Sequence, residues 1–369
     1  MKTMPRKARP LAVYFAALAL WTVTTAMHIP DGYLSPATAL VMFLLVLPFW
    51  VGGMRRVRQS INASSVPLVA LLAAFSFVIM MFNIPLPGGT TGHAVGASLA
   101  AIILGPEVAT IAVSIALIIQ AFFFGDGGIL ALGANCFNMA VIVPYVAAGI
   151  YRAFSGWSPA GSSRRLVGAA VGGWAGLTAA ALFAGIEFGI QPLLFHTAAG
   201  APLYAPYPLS ISIPAMVIPH ALVASVVEGL LTALVIGYLQ RSNIRILESV
   251  EGTQAPARSS SSRRLRWLWI GLIVLVVASP IGLLAPGTAW GEWGTQELTQ
   301  LGLQSVPVGL EKLSGLWGAP MAAYAVPVLG NASLGYVLSA ALGVVVVAVL
   351  VWLFLTLVVT SASSGKEDK

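Results

Sequence analysis

The sequence predicts an all-α protein that crosses a membrane many times, with a body of about seven helices and two further transmembrane helices towards its C-terminus. Its 369 residues are 58% hydrophobic and only 8% charged, whereas soluble globular proteins are about one quarter charged. The mean hydropathy is +0.90, and apolar runs bounded by Gly, Pro or Arg recur along the chain. This composition excludes a water-soluble fold, so the length is best counted in membrane spans.

The first 26 residues have the pattern of a secretory signal peptide. Basic residues precede an apolar core at 11–20, and the small residues 24–26 follow it. This order is typical of a cleaved signal, and we expect residues 1–26 to be removed. An uncleaved anchor, or a true start of the protein at Met27, are the alternatives.

Nine apolar runs come after this segment, and about 20 helical residues are enough to cross a bilayer core of about 30 Å. The third run is too short to span, so we expect a half-length helix that turns at Gly105-Pro106 and is sheltered by protein. The runs cover residues 35–54, 66–83, 93–104, 106–124, 129–151, 166–190, 210–240, 267–285 and 335–360.

Basic residues predict the orientation of these spans, because cytoplasmic loops of membrane proteins are enriched in Lys and Arg. If Met27 lies outside, four successive groups of basic residues fall on the inner side, and only Lys312 falls on the outer side. We therefore expect a plasma-membrane protein with its mature N-terminus outside and its C-terminus in the cytoplasm. The inner groups are Arg55, Arg56 and Arg58; Arg152, Arg164 and Arg165; Arg241, Arg245, Arg258, Arg263, Arg264 and Arg266; and Lys366 and Lys369.

A polar, Ser-rich and basic stretch at 241–266 divides the chain. This composition is typical of a linker. We expect a membrane body at 27–240, a cytoplasmic linker at 241–266, and a two-helix domain with an outer loop at 267–369.

Several classes of site are excluded. The single cysteine, Cys136, excludes a disulfide framework and a multi-cysteine zinc or iron–sulfur site. The chain contains neither the G-x-x-x-x-G-K-[ST] phosphate-binding motif nor the H-E-x-x-H zinc motif. The net charge of +7 belongs to the inner loops, so we expect no nucleic-acid partner.

His28 is the most informative of the four histidines because it directly follows the expected cleavage point. With Met27 as the first residue, the free amine, the His28 backbone nitrogen and the His28 Nδ1 atom form a chelate with three nitrogens. Planar nitrogen donors suit Ni(II) and Cu(II). His93, which precedes the short helix on the same outer face, is the candidate for a fourth nitrogen.

Acidic residues in unusual places form a second group of candidates. Glu187 and Glu228 lie inside apolar runs, where a charge is costly and usually functional or paired. We interpret Glu228 as structural or partner-facing rather than metal-binding. Asp126 lies in an outer Gly-rich turn, where a turn aspartate is the alternative to a functional one.

Six short motifs resemble those of the CbiM/NikM family, the substrate-capture components of cobalt and nickel energy-coupling-factor (ECF) transporters. The resemblance covers about residues 27–240. Residues 267–360 are similar to the small two-helix accessory subunit of these systems, of the NikN/CbiN or PDGLE type. The motifs are 27–36 (MHIPDGYLSP), 89–93 (GTTGH), 125–128 (GDGG), 133–135 (GAN), 137–139 (FNM) and 228–230 (EGL).

The resemblance implies a specific metal site and specific partners. In the family the mature amine and two histidines bind the metal in a square plane, which corresponds here to Met27, His28 and His93. The partners implied are a transmembrane coupling subunit and a pair of cytoplasmic ATPases. Four further residues in these motifs are candidates for supporting the ligands: Asp31, Thr91, Asp126 and Asn135.

We therefore expect a non-catalytic subunit of an ATP-driven importer that binds Ni(II) or Co(II) at the outer face. The metal is its substrate, and no bound cofactor is expected. The ligand set does not distinguish nickel from cobalt. The alternatives are a membrane metal sensor and a membrane-embedded enzyme that uses His28 and His93 as acid–base groups.

Overall fold

A computed structural model describes residues 28–87, 90–156, 158–159, 161–242, 262–285, 288–300, 302–303 and 305–367. Within these ranges the fold is helical apart from one hairpin, and seven helices are long and apolar enough to cross a membrane. The prediction of an all-α protein with many spans is confirmed. The expected signal segment, Met27 and most of the expected linker lie outside the described residues.

The helices and strands are numbered here along the chain. Two of the seven membrane-crossing helices, α8 and α11, follow the expected linker. The elements are α1 (Pro36–Ser60), α2 (Val66–Ile79), β1 (Ile84–Leu86), β2 (Thr90–Gly92), α3 (Ala97–Leu104), α4 (Pro106–Phe124), α5 (Leu132–Ser155), α6 (Ser163–Leu194), α7 (Leu209–Ser242), α8 (Ser262–Ala278), α9 (Thr295–Gln300), α10 (Val308–Leu313) and α11 (Ala332–Glu367).

Helix α3 is the expected half-length helix. It is buried over residues 97–103, and it ends at Gly105, whose φ of +84° is readily available only to glycine. Pro106 then begins α4, where its missing N–H costs no hydrogen bond. Because α3 is enclosed by other helices, its free ends are not exposed to lipid.

Helix α2 is shorter than the run 66–83 from which it was predicted. It ends at Ile79, and the chain then forms an antiparallel hairpin in which Ile84 pairs with Gly92 and Leu86 with Thr90. Proline at 85 lacks the N–H that a continuing helix needs. Residues 80–83 are not helical and connect α2 to the hairpin, which leads directly to His93.

Three of the long helices contain a π-helical turn, a feature that often marks functional sites. The turns occupy Gln120–Phe124 in α4, Cys136–Ile142 in α5 and His220–Ala224 in α7. The turns in α4 and α5 flank the 125–131 loop, which carries Asp126.

Basic residues gather at one end of the bundle. Arg58 lies in the last turn of α1, Arg152 in the last turn of α5 and Arg241 in the last turn of α7, while Arg164 lies in the first turn of α6. Helices α1, α5 and α7 run away from the 28–35 segment and the 125–131 loop and α6 runs back, so all four arginines lie at the opposite end. The two ends of the bundle therefore differ in charge, with these arginines together at one end, as the sequence predicts.

The segment between α8 and α11 packs over the other end of the body. We call the described residues of 288–331 the outer segment. Its Trp317 side chain donates a hydrogen bond of 2.8 Å to the Phe122 carbonyl, and its Met321 amide donates one of 2.9 Å to the Phe123 carbonyl. Beside it, α11 packs closely on α2, where Gly343 lies against the Phe77 ring.

Candidate metal centre

His28 and His93 lie side by side although 65 residues separate them in the sequence. Their ring centroids are 5.3 Å apart and the rings are inclined by 37°. His28 is 2% exposed and His93 is fully buried. Two imidazoles at this separation are close enough to share one metal ion, since each nitrogen–metal bond is about 2 Å long.

The Asp126 carboxylate contacts His28. Its Oδ1 atom lies 2.9 Å from the His28 Nδ1 atom, and its Oδ2 atom accepts a hydrogen bond of 2.6 Å from the Tyr324 hydroxyl. Burial raises the pKa of Asp126, but the charge and hydrogen bond of His28 and the bond from Tyr324 outweigh it, so the net direction is down. Asp126 therefore stands as a carboxylate between a histidine of the body and a tyrosine of the outer segment.

Asn135 holds the backbone next to His28. Its side-chain oxygen accepts a hydrogen bond of 2.8 Å from the Ile29 amide, and its side-chain nitrogen donates one of 3.0 Å to the Ile29 carbonyl. The Gly128 amide donates a further bond of 2.9 Å to the same carbonyl. These three bonds fix the main chain one residue beyond His28, whose backbone nitrogen the sequence predicts as a metal ligand.

The glycines of the GDGG motif let this loop approach His28 closely. Gly127 has φ of +90°, and a Cβ atom there would lie 2.9 Å from the Asn135 amide nitrogen and 3.1 Å from the His28 Cβ atom. A Cβ atom at Gly128 would overlap Asp31. A side chain at either position would push the loop away from the two residues it holds.

Asp31 supports the loop from the N-terminal side. Its carboxylate accepts hydrogen bonds of 3.0, 2.8 and 3.3 Å from the amides of Ile129, Leu130 and Ala131. Burial raises the pKa of Asp31, and the three backbone bonds oppose that shift. Asp31 therefore caps the turn that leads into α5 and holds residues 28–31 against it.

His93 is oriented by its own backbone. Its Nδ1 atom lies 3.0 Å from the Ala94 carbonyl oxygen, and because a carbonyl only accepts, this contact favours a proton on Nδ1 and a lone pair on Nε2. Thr91, two residues earlier in β2, is buried, and its hydroxyl makes no hydrogen bond to the described residues. The Thr91 side chain does not support either ligand through a hydrogen bond.

The histidine pair is not part of a larger cluster of ligating side chains. Among the described residues, no group of three or more His, Cys, Asp or Glu side chains is arranged to hold a metal ion. Met27, whose amine the sequence predicts as a further donor, lies outside those residues.

The two intramembrane glutamates do not join this centre. Glu228 is fully buried, and its carboxylate accepts hydrogen bonds of 2.9, 2.9 and 3.2 Å from the amides of Val95, Gly96 and Ser98. It therefore caps the N-terminus of α3, where a negative charge is stabilised, and its interpretation as structural agrees with this geometry. Glu187 accepts a bond of 2.9 Å from the Asn138 side chain.

Two polar residues near the centre were not selected from the sequence. Tyr324 lies in the outer segment, and it is not part of any motif identified in the sequence. The Gln120 side chain donates a hydrogen bond of 3.0 Å to the Tyr324 hydroxyl. A buried amide within the apolar run 106–124 is a signal that could have identified Gln120.

A cavity of about 250 Å³ lies between the 125–129 loop and the outer segment. Asp31, Gly127 and Gly128 line it on one side, and Glu292 and Trp293 on the other. Gly127, which lines the cavity, also packs against His28. The cavity therefore lies next to the histidine pair, with the acidic residues Asp31 and Glu292 in its lining.

Two family models match the chain. Residues 28–246 match CbiM, described as the cobalt uptake substrate-specific transmembrane region, and residues 264–360 match the PDGLE domain. The chain is 51% identical over 335 residues to the fused nickel transport protein NikMN of Rhodobacter capsulatus, which covers 87% of this chain and 95% of that protein.

A second relative is also named as a fused protein, and a solved structure has a similar fold over part of the chain. The probable fused nickel transport protein LarMN of Lactiplantibacillus plantarum is 44% identical over 89% of this chain and 96% of its own length. A crystal structure of a transition metal transporter matches with a TM-score of 0.56 and 50% identity, over 62% of this chain and 100% of that one. The histidine pair, the glycine-rich loop beside it, and these matches along the sequence agree: the chain belongs to the CbiM family of substrate-specific transmembrane proteins, fused to a PDGLE domain.

Proposed function

We propose that this protein captures Ni(II) at the outer face of the plasma membrane and passes it inward as the substrate-specific subunit of an ATP-driven ECF importer. The observation that carries the proposal is the pair of buried imidazoles of His28 and His93, 5.3 Å apart next to the N-terminal end of the described chain. The metal is cargo, and the chain contributes binding rather than catalysis.

The ligands in this proposal are the Met27 amine, the His28 backbone nitrogen, the His28 Nδ1 atom and His93. For His93 the contact of Nδ1 with the Ala94 carbonyl favours Nε2 as the donor. For His28 the chelate requires Nδ1 to leave Asp126. Asp126 is then a partner of the metal-free ring, while Asn135 and Asp31 hold the backbone in place for the chelate.

Nickel is preferred over cobalt for two reasons. The two relatives described above, which each match nearly nine tenths of this chain, are named as nickel transport proteins. Four nitrogens in a plane, two of them from the main chain, also suit Ni(II). Cobalt is the alternative cargo, because the matching family model is described as a cobalt uptake region.

The proposed domain limits and orientation rest on the sequence, on the family matches and on the positions of the arginines. Residues 1–26 are removed, residues 27–240 bind the metal, residues 241–266 form a cytoplasmic linker, and residues 267–369 form an accessory domain. The matches to residues 28–246 and 264–360 support these limits. The clustering of arginines at the end opposite the two histidines supports an outer metal centre and a cytoplasmic C-terminus.

Energy must come from other chains, since the sequence contains no phosphate-binding motif of the G-x-x-x-x-G-K-[ST] type. We infer a transmembrane coupling subunit and a pair of cytoplasmic ATPases as partners. The acidic residues beside the cavity next to His28 would concentrate cations at the entrance.

Uptake of radioactive Ni(II) by cells that lack their own nickel importer tests this function. Cells that express the chain together with the coupling subunit and the ATPases should accumulate nickel, and excess unlabelled Ni(II) should compete better than Co(II). An ATPase pair that cannot hydrolyse ATP is the matched control and should prevent accumulation. Binding without accumulation would favour a sensor, and neither binding nor accumulation would favour an enzyme; both outcomes would contradict the proposal.

A further inference from the structure

Tyr324 connects the outer segment to the metal centre. Its hydroxyl donates a hydrogen bond of 2.6 Å to the Asp126 Oδ2 atom and accepts one of 3.0 Å from Gln120. The other carboxylate oxygen of Asp126 lies 2.9 Å from the His28 Nδ1 atom. A continuous polar path therefore runs from the accessory domain, through Asp126, to a proposed metal ligand.

The backbone that presents Tyr324 is in an unusual conformation. Ala323 and Tyr324 have φ of +52° and +58°, and they are the only residues other than glycine with positive φ in the described part of the chain. Such conformations cost free energy and persist where surrounding contacts determine them. Here the contacts include stacking on Phe124 at 4.7 Å and a hydrogen bond of 2.8 Å from the Ser339 hydroxyl to the Tyr324 carbonyl.

The hydroxyl is suited to hold a carboxylate. Burial, and then the nearby charge of Asp126, raise the pKa of Tyr324 well above its ordinary value. The tyrosine therefore stays protonated and donates to Asp126. Hydrogen bonds to a charged acceptor are among the stronger ones in proteins.

We propose that Tyr324 is a positioning residue of the metal-free site, which holds Asp126 on the His28 imidazole so that the ring keeps one orientation beside His93 until the metal displaces the carboxylate. This inference rests on the proposed function. Because Asp126 contacts Nδ1, the nitrogen that the proposed chelate uses, Asp126 and the metal compete for the same atom. Capture then involves the two oriented rings, and the chelate at His28 forms when Nδ1 leaves Asp126.

This role makes a kinetic prediction that a purely structural role does not. Tyr324 acts on the metal-free ring, because the contact between His28 and Asp126 is absent once Nδ1 binds metal. Loss of the hydroxyl weakens a contact that only the metal-free state makes, so it should speed metal loading and leave metal release unchanged. The equilibrium dissociation constant should fall by the same factor as the loading rate rises.

The test compares Tyr324→Phe with Tyr336→Phe in the full-length mature chain. Both substitutions keep the ring and remove one buried hydroxyl of the C-terminal part, and the Tyr336 hydroxyl donates to the Met81 carbonyl at 2.9 Å rather than to Asp126. Tyr336→Phe therefore controls for weaker packing of the accessory domain on the body. With Ni(II) alone as the probe, loading is followed by rapid mixing and release by transfer to an excess of chelator.

We expect Tyr324→Phe to load about tenfold faster, the size of effect that one hydrogen bond to a charged group gives. Its release rate, and both rates of Tyr336→Phe, should stay within about twofold of the original chain. Equal or slower loading by Tyr324→Phe than by the original chain would overturn the inference, and so would an equal change in both variants.

A second measurement needs no metal and separates this inference from the proposed function. Nitrogen NMR of histidine-labelled, metal-free protein reports the hydrogen bonding of each ring nitrogen, and the His28 signal is identified by its loss in His28→Ala. Tyr324→Phe should shift the His28 Nδ1 signal, whereas Tyr336→Phe should not. An unshifted signal would contradict the positioning role even if nickel binds, whereas a chain that binds no nickel but shows the shift would contradict only the proposed function.

Discussion

The His28 Nδ1 atom lies 2.9 Å from the Asp126 Oδ1 atom. This is the nitrogen that a chelate with the Met27 amine would use, so the contact with Asp126 and the chelate exclude each other. The His28 ring is held by a carboxylate that Tyr324 holds in turn. Under the proposed chelate, metal binding would replace one partner of an already ordered histidine.

His28→Ala should abolish high-affinity Ni(II) binding. It removes the side-chain arm of the chelate, and we expect a loss greater than the roughly 10- to 100-fold that accompanies removal of a residue supporting a metal ligand. His93→Ala leaves three nitrogens of the chelate, so weaker binding should persist. Calorimetric titration of the purified chain with Ni(II) measures both changes.

The exposed His196 provides the matched control for these substitutions. His196→Ala should bind nickel like the original chain. Tight binding by His28→Ala would contradict the assignment of the site, as would an equal loss in all three variants.

The protein purified from membranes should begin at Met27. The basic segment, short apolar core and small residues of the first 26 positions predict their removal, and without it the free amine of the site does not exist. Intact mass spectrometry of the purified protein measures this directly. A chain that begins at Met1 and still binds nickel tightly would be incompatible with the chelate.

Nickel affinity should fall steeply from pH 8 to pH 5. The α-amine titrates near pH 8 and histidine near pH 6.5; the metal binds only their deprotonated forms, so protons compete more strongly as the pH falls. The backbone nitrogen also loses its proton to bind. Calorimetry in buffers with different enthalpies of ionisation should count more than one proton released per metal, whereas an affinity independent of pH would argue against the backbone nitrogen as a ligand.

Glu228→Ala should destabilise the protein without removing a metal ligand. Three buried amides at the start of α3 lose their acceptor, which we expect to lower the free energy of unfolding by about 2–4 kcal/mol. Glu228→Gln keeps one acceptor oxygen and should lose less. Thermal unfolding in detergent compares these variants with Glu311→Ala, a control on the exposed surface; a melting temperature unchanged in Glu228→Ala would show that the cap is dispensable.

The fold could be predicted largely from the apolar runs because a bilayer fixes the length of a spanning helix. The half-length helix before Gly105 could be predicted for the same reason, since its run is too short to span. The hairpin at 84–92 could not, because Pro85 is as compatible with an irregular loop as with a strand at a sheet edge. The apolar run 66–83 also extends four residues beyond the end of α2 at Ile79.

The two histidines of the candidate site could be selected from local sequence because each lies in a distinctive motif. The supporting contacts were harder to predict, since each joins distant parts of the chain. Asp126 and Asn135 were selected, but their partners, Tyr324 and the Ile29 backbone, depend on how loops pack. No pattern around Tyr324 indicates its contact with Asp126.

The most direct test of the central claim is the insertion of one alanine between Met27 and His28 in the mature chain. The insertion keeps the free amine and both histidine side chains, but it changes the size and number of the chelate rings. Titration with Ni(II) should give one tightly bound ion per original chain and a large loss of affinity in the insertion variant. Equal affinity in the two proteins would show that the amine, the His28 backbone nitrogen and its ring do not bind the metal together, and it would contradict the account.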